Sequence, residues 1–224
     1  MTRQAGVRFD PFLASYLATL RAVLEPLASR RTLDIAAGSG WIRALGFDDY
    51  AGLDIEPPHE IWDIDTPLPA GHVGDYELAL CLGALHYAAD PHASLDEFRR
   101  ALRPDGDLVL MVPWLYPPHD READRWRIAP RQLFTMLAPH FAQVDLWFVG
   151  SVFQLPAHIA KRVIAGPFRG ITPEELRRLP RRLAAPRQTP GDVDDVPVPW
   201  FGPLNVVAHA RSMRENVASP TRKR

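Results

Sequence analysis

Cysteine is nearly absent from this sequence, because Cys81 is the only one among 224 residues. A single cysteine excludes an intramolecular disulfide and favours a reduced, intracellular setting. The cysteine and histidine spacing of a zinc site is missing as well, so we expect no metal. On these grounds the sequence predicts a cytoplasmic protein.

Long apolar runs are also scarce. The apolar stretch LALCLGALHYAA, residues 78–89, is too short to cross a bilayer. Asp10 and Arg21 interrupt the N-terminal region where a signal peptide would need an unbroken apolar run. We therefore expect no membrane partner.

Neither sign of charge is in large excess, since the formal net charge is −1. A balanced chain offers no overall electrostatic attraction to nucleic acid. We expect no nucleic-acid partner, and an oligomeric state of monomer or homodimer.

Short runs of β-favouring residues alternate with helical patterns along the chain. Helical patterns follow Asp10-Pro11 and Asp90-Pro91, where an N-cap aspartate precedes a first-turn proline. The apolar runs predict strands at 31–35, 50–55, 60–64, 77–82, 107–112, 143–149 and 204–210. Runs that are apolar throughout are typical of parallel sheets buried on both faces, so the sequence predicts an α/β fold.

The segment TLDIAAGSGWI, residues 32–42, places two glycines directly behind a predicted strand. Gly38 and Gly40 lack a Cβ atom, which lets the backbone turn sharply and lets a ligand approach the main chain. Parallel α/β sheets bind ligands at the carboxyl ends of their strands. The segment therefore predicts a binding loop with an acid, Asp34, close to it.

Two nucleotide-binding loops can be compared with this segment. The dinucleotide pattern Gly-x-Gly-x-x-Gly is not matched after Asp34, and the lysine of a phosphate loop is missing. A phosphate ligand, and with it a nicotinamide oxidoreductase, is disfavoured.

The segment resembles instead the first motif of the class I S-adenosylmethionine-dependent methyltransferases, acid-x-Gly-x-Gly-x-Gly at the end of the first strand. Asp34, Gly38 and Gly40 match it, and Ala36 stands where the family has its first glycine. A carboxylate near the loop suits the positive sulfonium of that cofactor. The resemblance implies a three-layer Rossmann-like sandwich, with a mostly parallel seven-stranded sheet and an antiparallel last strand.

Further segments resemble the family in its order along the chain. They are GLDIE at 52–56, WDIDTPLP at 62–69, DYELALCLGALHYAADP at 75–91, LRPDGDLVLMVP at 102–113 and ADRWRIAPRQL at 123–133. Only residues 41–53 separate Gly40 from Asp54, so the first crossover helix must be short.

The resemblance implies which residues hold S-adenosylmethionine. Asp54 would bind both ribose hydroxyls, because a carboxylate has two oxygens for a vicinal diol. Asp63 would lie at the adenine, with Asp65 as the alternative acid. The implied cofactor-binding residues are Asp34, Ala36, Gly38, Gly40, Asp54, Ile55, Asp63, Ile64, Leu82 and Gly83.

The acceptor site is expected around the loop that leaves the fifth strand. His119 is the first candidate for a general base, His86 the second, and Asp120 an orienting partner. The candidates for substrate contact are Trp114, Tyr116, Trp126 and Arg127. Each has an ordinary alternative, such as a buried core histidine, a polar surface loop or simple packing.

Proline is abundant, with 23 residues, most of them beyond position 100. We expect a methyltransferase core at 1–154 with 200–212, a helical Pro- and Arg-rich insertion at 155–199, and a disordered tail at 213–224. Residues 155–190 contain eight Lys and Arg against two Glu. That excess indicates either a solvated helix face or a lid that receives a phosphorylated or carboxylated acceptor.

The sequence favours an enzyme that methylates an oxygen or nitrogen of a small molecule, in secondary metabolism or glycan assembly, and releases S-adenosylhomocysteine. The alternative is a methyltransferase-like binding module without catalytic activity. Ala36 and the short first crossover support that alternative, whereas Asp34, Asp54 and Asp63 argue against it.

Overall fold

A computed structural model describes residues 11–116, 123–150, 188–189 and 205–212. In these residues the strands are β1 Thr32–Ile35, β2 Tyr50–Asp54, β3 Glu60–Ile61, β4 Tyr76–Leu82, β5 Leu102–Pro113, β6 Gln143–Val149, β7 Gln188–Thr189 and β8 Asn205–Arg211. The α-helices are α1 Pro11–Leu24, α2 Pro91–Ala101 and α3 Pro130–Leu137.

The strands form one sheet in the order β3-β2-β1-β4-β5-β8-β6-β7. Strands β1 to β5 pair in parallel, while β8 runs antiparallel to both β5 and β6. The predicted Rossmann-like sheet with an antiparallel last strand is therefore confirmed. The described sheet has one more strand than predicted, because the two-residue β7 pairs with β6. The rest of the predicted insertion, 155–187 and 190–199, and the predicted tail lie outside the described residues.

Helices cover both faces of the sheet. On one face α2 and α3 pack in a core that contains Leu33, Phe98 and Leu133. On the other face α1 packs in a second core with Leu17 and Leu80. Burying apolar side chains on both faces is what makes the strands apolar throughout.

Strand β1 lies between β2 and β4, so the strand order reverses there. The chain runs from β1 outward to β2 and β3, and then returns to place β4 on the other side of β1. A reversal of this kind opens a crevice at the carboxyl ends of the strands, where ligands bind. The glycine segment that follows β1 lies at this crevice.

The first crossover, between β1 and β2, is short, as the spacing of Gly40 and Asp54 predicts. It contains a five-residue 3-10 helix, Trp41–Leu45, that begins after Gly40 and ends before Gly46. Both glycines have positive φ angles of 63° and 94°. Glycine adopts this left-handed conformation without a steric cost, which lets it flank so short a helix.

Ala36 has a φ of 57° and is the only non-glycine residue with a positive φ in the described part of the chain. It therefore adopts a left-handed backbone conformation that favours glycine, the residue that the family pattern has at this position. A residue with a Cβ atom is destabilised in this region by about 1 kcal/mol or more.

Ala36→Gly is expected to raise the free energy of unfolding by about 1 kcal/mol, because removing the Cβ relieves the left-handed backbone. Urea unfolding followed by circular dichroism measures this. The matched control is Ala37→Gly, at a buried residue without a positive φ. The control should lower stability by roughly 0.5–1 kcal/mol. Equal losses in both variants would contradict the backbone assignment.

Candidate cofactor and acceptor site

The predicted cofactor residues lie where the parallel strands end. Asp34 belongs to β1, Asp54 ends β2 and Leu82 ends β4, and these three strands are close neighbours in the sheet. Gly83 follows with a φ of 100°, and its N–H donates to the carbonyl oxygen of Met111 at 3.0 Å. The fold thus brings separate sequence motifs to one edge of the sheet.

Asp54 is bonded to the glycine loop through its carboxylate. The N–H of Gly38 donates to Asp54 Oδ2 at 2.7 Å, and the N–H of Glu56 donates to Oδ1 at 3.2 Å. A carboxylate has about four acceptor positions, so each oxygen of Asp54 can accept one more hydrogen bond. That capacity fits the two hydroxyls of a ribose.

The side chains next to Asp54 suit an adenine ring. Ile55 is 69% exposed and offers an apolar surface. Asp63 Oδ1 accepts from the N–H of Asp65 at 2.9 Å, which fixes its carboxylate in the turn. Asp65 itself joins two other loops, since it accepts from the N–H of Ala89 at 2.7 Å and from Arg125 at 3.4 Å. These contacts favour Asp63 over Asp65 as the adenine acid.

Asp34 is almost completely buried beneath the glycine loop, with 3% of its surface exposed. The hydroxyl of Tyr50 donates to Asp34 Oδ2 at 2.9 Å. Burial raises the pKa of Asp34 to about 7, the charge of Asp54 adds to the rise, and the Tyr50 hydrogen bond opposes it. Near neutral pH, a cation bound beside the loop would favour the ionised carboxylate.

The acids at the opposite end of the sheet are paired with arginines. Those ion pairs are Arg30 with Asp107, Arg31 with Asp75, and Arg211 with Asp145. Within the described ranges, no ion pair involves Asp34, Asp54 or Asp63. These three acids are therefore not neutralised by a described cationic side chain, which fits the sulfonium and ammonium groups of S-adenosylmethionine and opposes a phosphate.

The segment 124–128, which contains two of the predicted substrate contacts, packs on the turn after β4. The N–H groups of Arg125 and Trp126 both donate to the carbonyl oxygen of His86 at 3.1 Å. The indole N–H of Trp126 donates to the carbonyl of Ala88 at 2.8 Å. Trp126 stays 36% exposed, so it is fixed in place and open to a ligand.

Arg127 connects the two flanks of the loop that follows β5. Its Nε donates to the carbonyl of Tyr116 at 2.7 Å, and its Nη2 donates to Asp124 Oδ2 at 2.7 Å. Its Nη1 donates to Asp124 Oδ1 and to the carbonyl of Trp126. Because these donors are engaged within the chain, Arg127 fits a positioning role better than the substrate contact predicted from sequence.

Of the two predicted histidines, His86 lies among the described residues. His86 is 2% exposed, its ring lies 4.0 Å from that of Tyr87, and its Nε2 is 3.9 Å from Asp124 Oδ1. An interior imidazole next to the Asp124–Arg127 pair favours a positioning role over proton transfer to an acceptor. His119 and Asp120 lie outside the described residues, so their roles stay predictions.

Trp114 and Tyr116 are partly buried at the end of β5. Trp114 packs against the core beneath α2 and α3, whereas Tyr116 packs against the core beneath α1. The two side chains therefore flank the sheet edge from opposite faces, and contact of both with an acceptor stays a prediction.

Sequence reasoning missed two side chains at the glycine loop, Tyr50 and His59. Tyr50 bonds Asp34, and His59 Nε2 lies 3.1 Å from the carbonyl oxygen of Gly38. Gly52, in the middle of β2, was the available signal, because a glycine inside a strand often marks a close approach by another group.

A metal site and a membrane-spanning helix were both sought among the described residues. No three His, Cys, Asp or Glu side chains there lie close enough to share a metal ion. No helix among those residues combines the length and apolar character needed to span a bilayer.

Comparison with known proteins gives a family match. The sequence model of the protein family described as methyltransferase domain matches residues 9–143, which is more than half of the chain. Curated relatives include the tRNA U34 carboxymethyltransferases of Geobacter sp. strain M21, 26% identical over 107 residues, and of Hahella chejuensis, 27% identical over 151 residues. These alignments cover 39% and 57% of this chain but 33% and 42% of the relatives. The chain thus spans between a third and a half of their length.

Solved structures share the fold at low sequence identity. A Thermotoga maritima protein, described as an S-adenosylmethionine-dependent methyltransferase and possible histamine N-methyltransferase, is 14% identical with a TM-score of 0.57 over 90% of both chains. The 1,6-didemethyltoxoflavin-N1-methyltransferase of Burkholderia thailandensis is 19% identical with a TM-score of 0.53, over 91% of this chain and 80% of that one. Its structure holds 1,6-didemethyltoxoflavin and S-adenosylhomocysteine.

The family match confirms the methyltransferase interpretation over a nicotinamide oxidoreductase, and the site residues fit its cofactor. With the family model matched over residues 9–143, a reversal of strand order at β1 and a glycine loop behind that strand, this chain belongs to the methyltransferase domain family, the S-adenosylmethionine-dependent enzymes with a Rossmann-like sheet.

Proposed function

We propose that this methyltransferase transfers a methyl group to an oxygen or nitrogen of a small molecule. The observation that carries the proposal is the chemistry of the acceptor side. Trp126 is exposed there, while all three guanidinium nitrogens of Arg127 donate within the chain and Arg125 donates from Nη1 to the carbonyl oxygen of Tyr87. An aromatic surface suits a small planar acceptor, whereas a phosphate backbone needs cations that are free to pair with it.

Methyl transfer needs positioning more than it needs a reactive side chain. When bound, S-adenosylmethionine supplies a methyl group activated by the positive sulfur. Asp54 and Asp63 would hold the nucleoside, and Asp34 places negative charge beneath the glycine loop. Trp126 would hold the acceptor. Aligning two reactants in a dry site contributes about 7–11 kcal/mol in favourable model systems, which is enough without a covalent intermediate.

A general base is needed only if the acceptor loses a proton that is difficult to remove, such as that of an alcohol. His119 is our first candidate for that base, with Asp120 as its orienting partner. We propose that His86 supports the segment 124–128 from below through its carbonyl oxygen.

A tRNA acceptor is the second candidate function. It is favoured by the names of the curated relatives and by the local excess of arginine and lysine in residues 155–190. The small coverage of those relatives and the balanced net charge of the chain make it the weaker candidate.

The two acceptor classes can be separated by where a labelled methyl group goes. Incubation with methyl-labelled S-adenosylmethionine, a panel of phenols, amines and carboxylic acids, and bulk tRNA should label small molecules and leave the tRNA unlabelled. Asp54→Ala is the control and should lose both the labelling and the calorimetric binding of the cofactor. Label that enters tRNA and disappears in Asp54→Ala would replace our proposal with the second candidate.

The pH dependence of cofactor binding tests the role of Asp34. Binding of S-adenosylmethionine is expected to strengthen as the pH rises toward about 7, because burial keeps the Asp34 carboxyl protonated below its raised pKa. Calorimetry between about pH 5.5 and 7.5, in buffers of different ionisation enthalpy, should detect proton release at the acid end. The ligand ammonium has a pKa of about 8 and stays protonated over most of this range.

Asp34→Asn is the matched control for that measurement. It should bind more weakly at pH 7.5 and show little change with pH. Since the folded-state pKa of Asp34 is raised, its contribution to stability is present at acid pH and is lost as the pH rises through about 7. The variant should therefore be more stable than wild type at pH 8. Parallel pH slopes of binding in both proteins would refute the assignment.

His119→Ala tests the proposed base by its pH–rate profile. The wild-type rate should rise with pH to a plateau, because the base acts only when deprotonated. Loss of that base should lower kcat by about 10²- to 10⁴-fold and remove the rise. A profile that is unchanged in His119→Ala would exclude this histidine as the base.

A further inference from the structure

The imidazole of His59 lies in a cradle formed by Gly40, Gly52 and Tyr50. A Cβ atom on Gly52 would lie 2.3 Å from His59 Nδ1, and one on Gly40 would lie 3.3 Å from His59 Cε1. The ring of Tyr50 meets the imidazole edge-on, with centroids 6.2 Å apart. At Gly52 in particular, any side chain would displace the imidazole from this position.

Both backbone polar groups of Gly38 have a side-chain partner. Its N–H donates to Asp54 Oδ2 at 2.7 Å, while His59 Nε2 lies 3.1 Å from its carbonyl oxygen. A carbonyl only accepts, so Nε2–H is the donor in this contact. With a φ of 56°, Gly38 has a conformation that these two contacts fix from opposite directions.

This arrangement follows from the short first crossover. An α-helix in that crossover would normally pack on the face of the sheet next to β1 and β2. Here the 3-10 helix Trp41–Leu45 takes its place and reaches the core beneath α1 together with Tyr50. The imidazole lies on Gly52, in the middle of β2, beside this shortened crossover.

We propose that His59 is a positioning residue for the cofactor loop. It holds the carbonyl of Gly38, which keeps the N–H of Gly38 directed at Asp54 and leaves the remaining acceptor positions of Asp54 for the ribose. The inference rests on the proposed placement of S-adenosylmethionine at Asp54. His59, which lies between β2 and β3, would give the glycine loop the support that a full helix in the first crossover would give.

Calorimetry with S-adenosylmethionine tests this role. His59→Ala is expected to raise Kd about tenfold, since one hydrogen bond of roughly 1–1.5 kcal/mol is lost from the loop. In assays with a saturating acceptor, KM for the cofactor should rise in parallel while kcat stays within about twofold. His59→Gln retains an N–H donor and should restore Kd to within about threefold of wild type. No rise in Kd for His59→Ala would overturn the proposal.

His72→Ala is the matched control. His72 also makes two contacts within the chain, with the hydroxyl of Tyr76 at 2.6 Å and with Glu60 at 2.9 Å, but neither partner belongs to the glycine loop. This variant should lower the melting temperature and leave Kd unchanged. An equal rise of Kd in both variants would mean that the effect comes from general destabilisation, and would refute the proposal.

A double-mutant cycle with Gly52→Ala tests whether Gly52 acts on binding through the position of the His59 imidazole. Gly52→Ala should weaken binding about as much as His59→Ala, because the new methyl group displaces the imidazole. In the His59→Ala background the same substitution should change Kd by less than about twofold, since the clash is gone. Full additivity would show that Gly52 acts independently of His59 and would overturn the inference.

Asp54→Ala separates failure of the inference from failure of the proposed site. If Asp54→Ala loses binding while His59→Ala does not, the cofactor placement stands and the role of His59 is wrong. If both variants bind like wild type, the placement itself is wrong and the inference falls with it.

Discussion

One hydrogen bond, from the N–H of Gly38 to the carboxylate of Asp54, organises the site. It joins the loop after β1 to the end of β2, the strand paired with β1. Because this bond fixes the carboxylate, the acceptor positions that remain on Asp54 have a defined direction before any ligand arrives. Pre-organisation of this kind reduces the ordering cost of binding. The reversal of strand order at β1 provides the crevice, and this bond sets the direction of its principal acid.

Electrostatics then selects the class of ligand. Arginines neutralise the acids at one end of the sheet, whereas Asp34 and Asp54 at the other end have no such partner among the described residues. Two nearby acids disfavour each other's ionisation, which contributes to the raised pKa of Asp34. That cost in the free protein becomes an attraction once a cation binds. The same charges that suit a sulfonium would repel a pyrophosphate, as the glycine spacing also indicates.

The sequence predicted the strands because apolar runs are local patterns. Apolar runs define β4 and β6 closely, and the predicted acids Asp34 and Asp54 lie within the last two residues of β1 and β2. The sequence did not predict α3, which begins at Pro130 inside the motif segment 123–133. It also missed the roles of Tyr50 and His59, since these depend on which side chains meet across strands. Arg127 was assigned to the substrate because an arginine in a motif does not reveal which of its donors the chain itself uses.

The acceptor side follows a different principle from the cofactor side. At the proposed cofactor site the carboxylates keep hydrogen-bonding capacity for a ligand. At the proposed acceptor site Asp124 and Arg127 pair with each other, and Arg127 also bonds the carbonyl of Tyr116. This partly buried pair, with the Arg127 hydrogen bond to the carbonyl of Tyr116, joins the segment 124–128 to the end of β5. Among the described residues there, Leu115 and Trp126 are exposed large apolar side chains, which fits the proposed recognition by shape and stacking. This division is the physical reason to expect a small, planar acceptor beside a cationic cofactor.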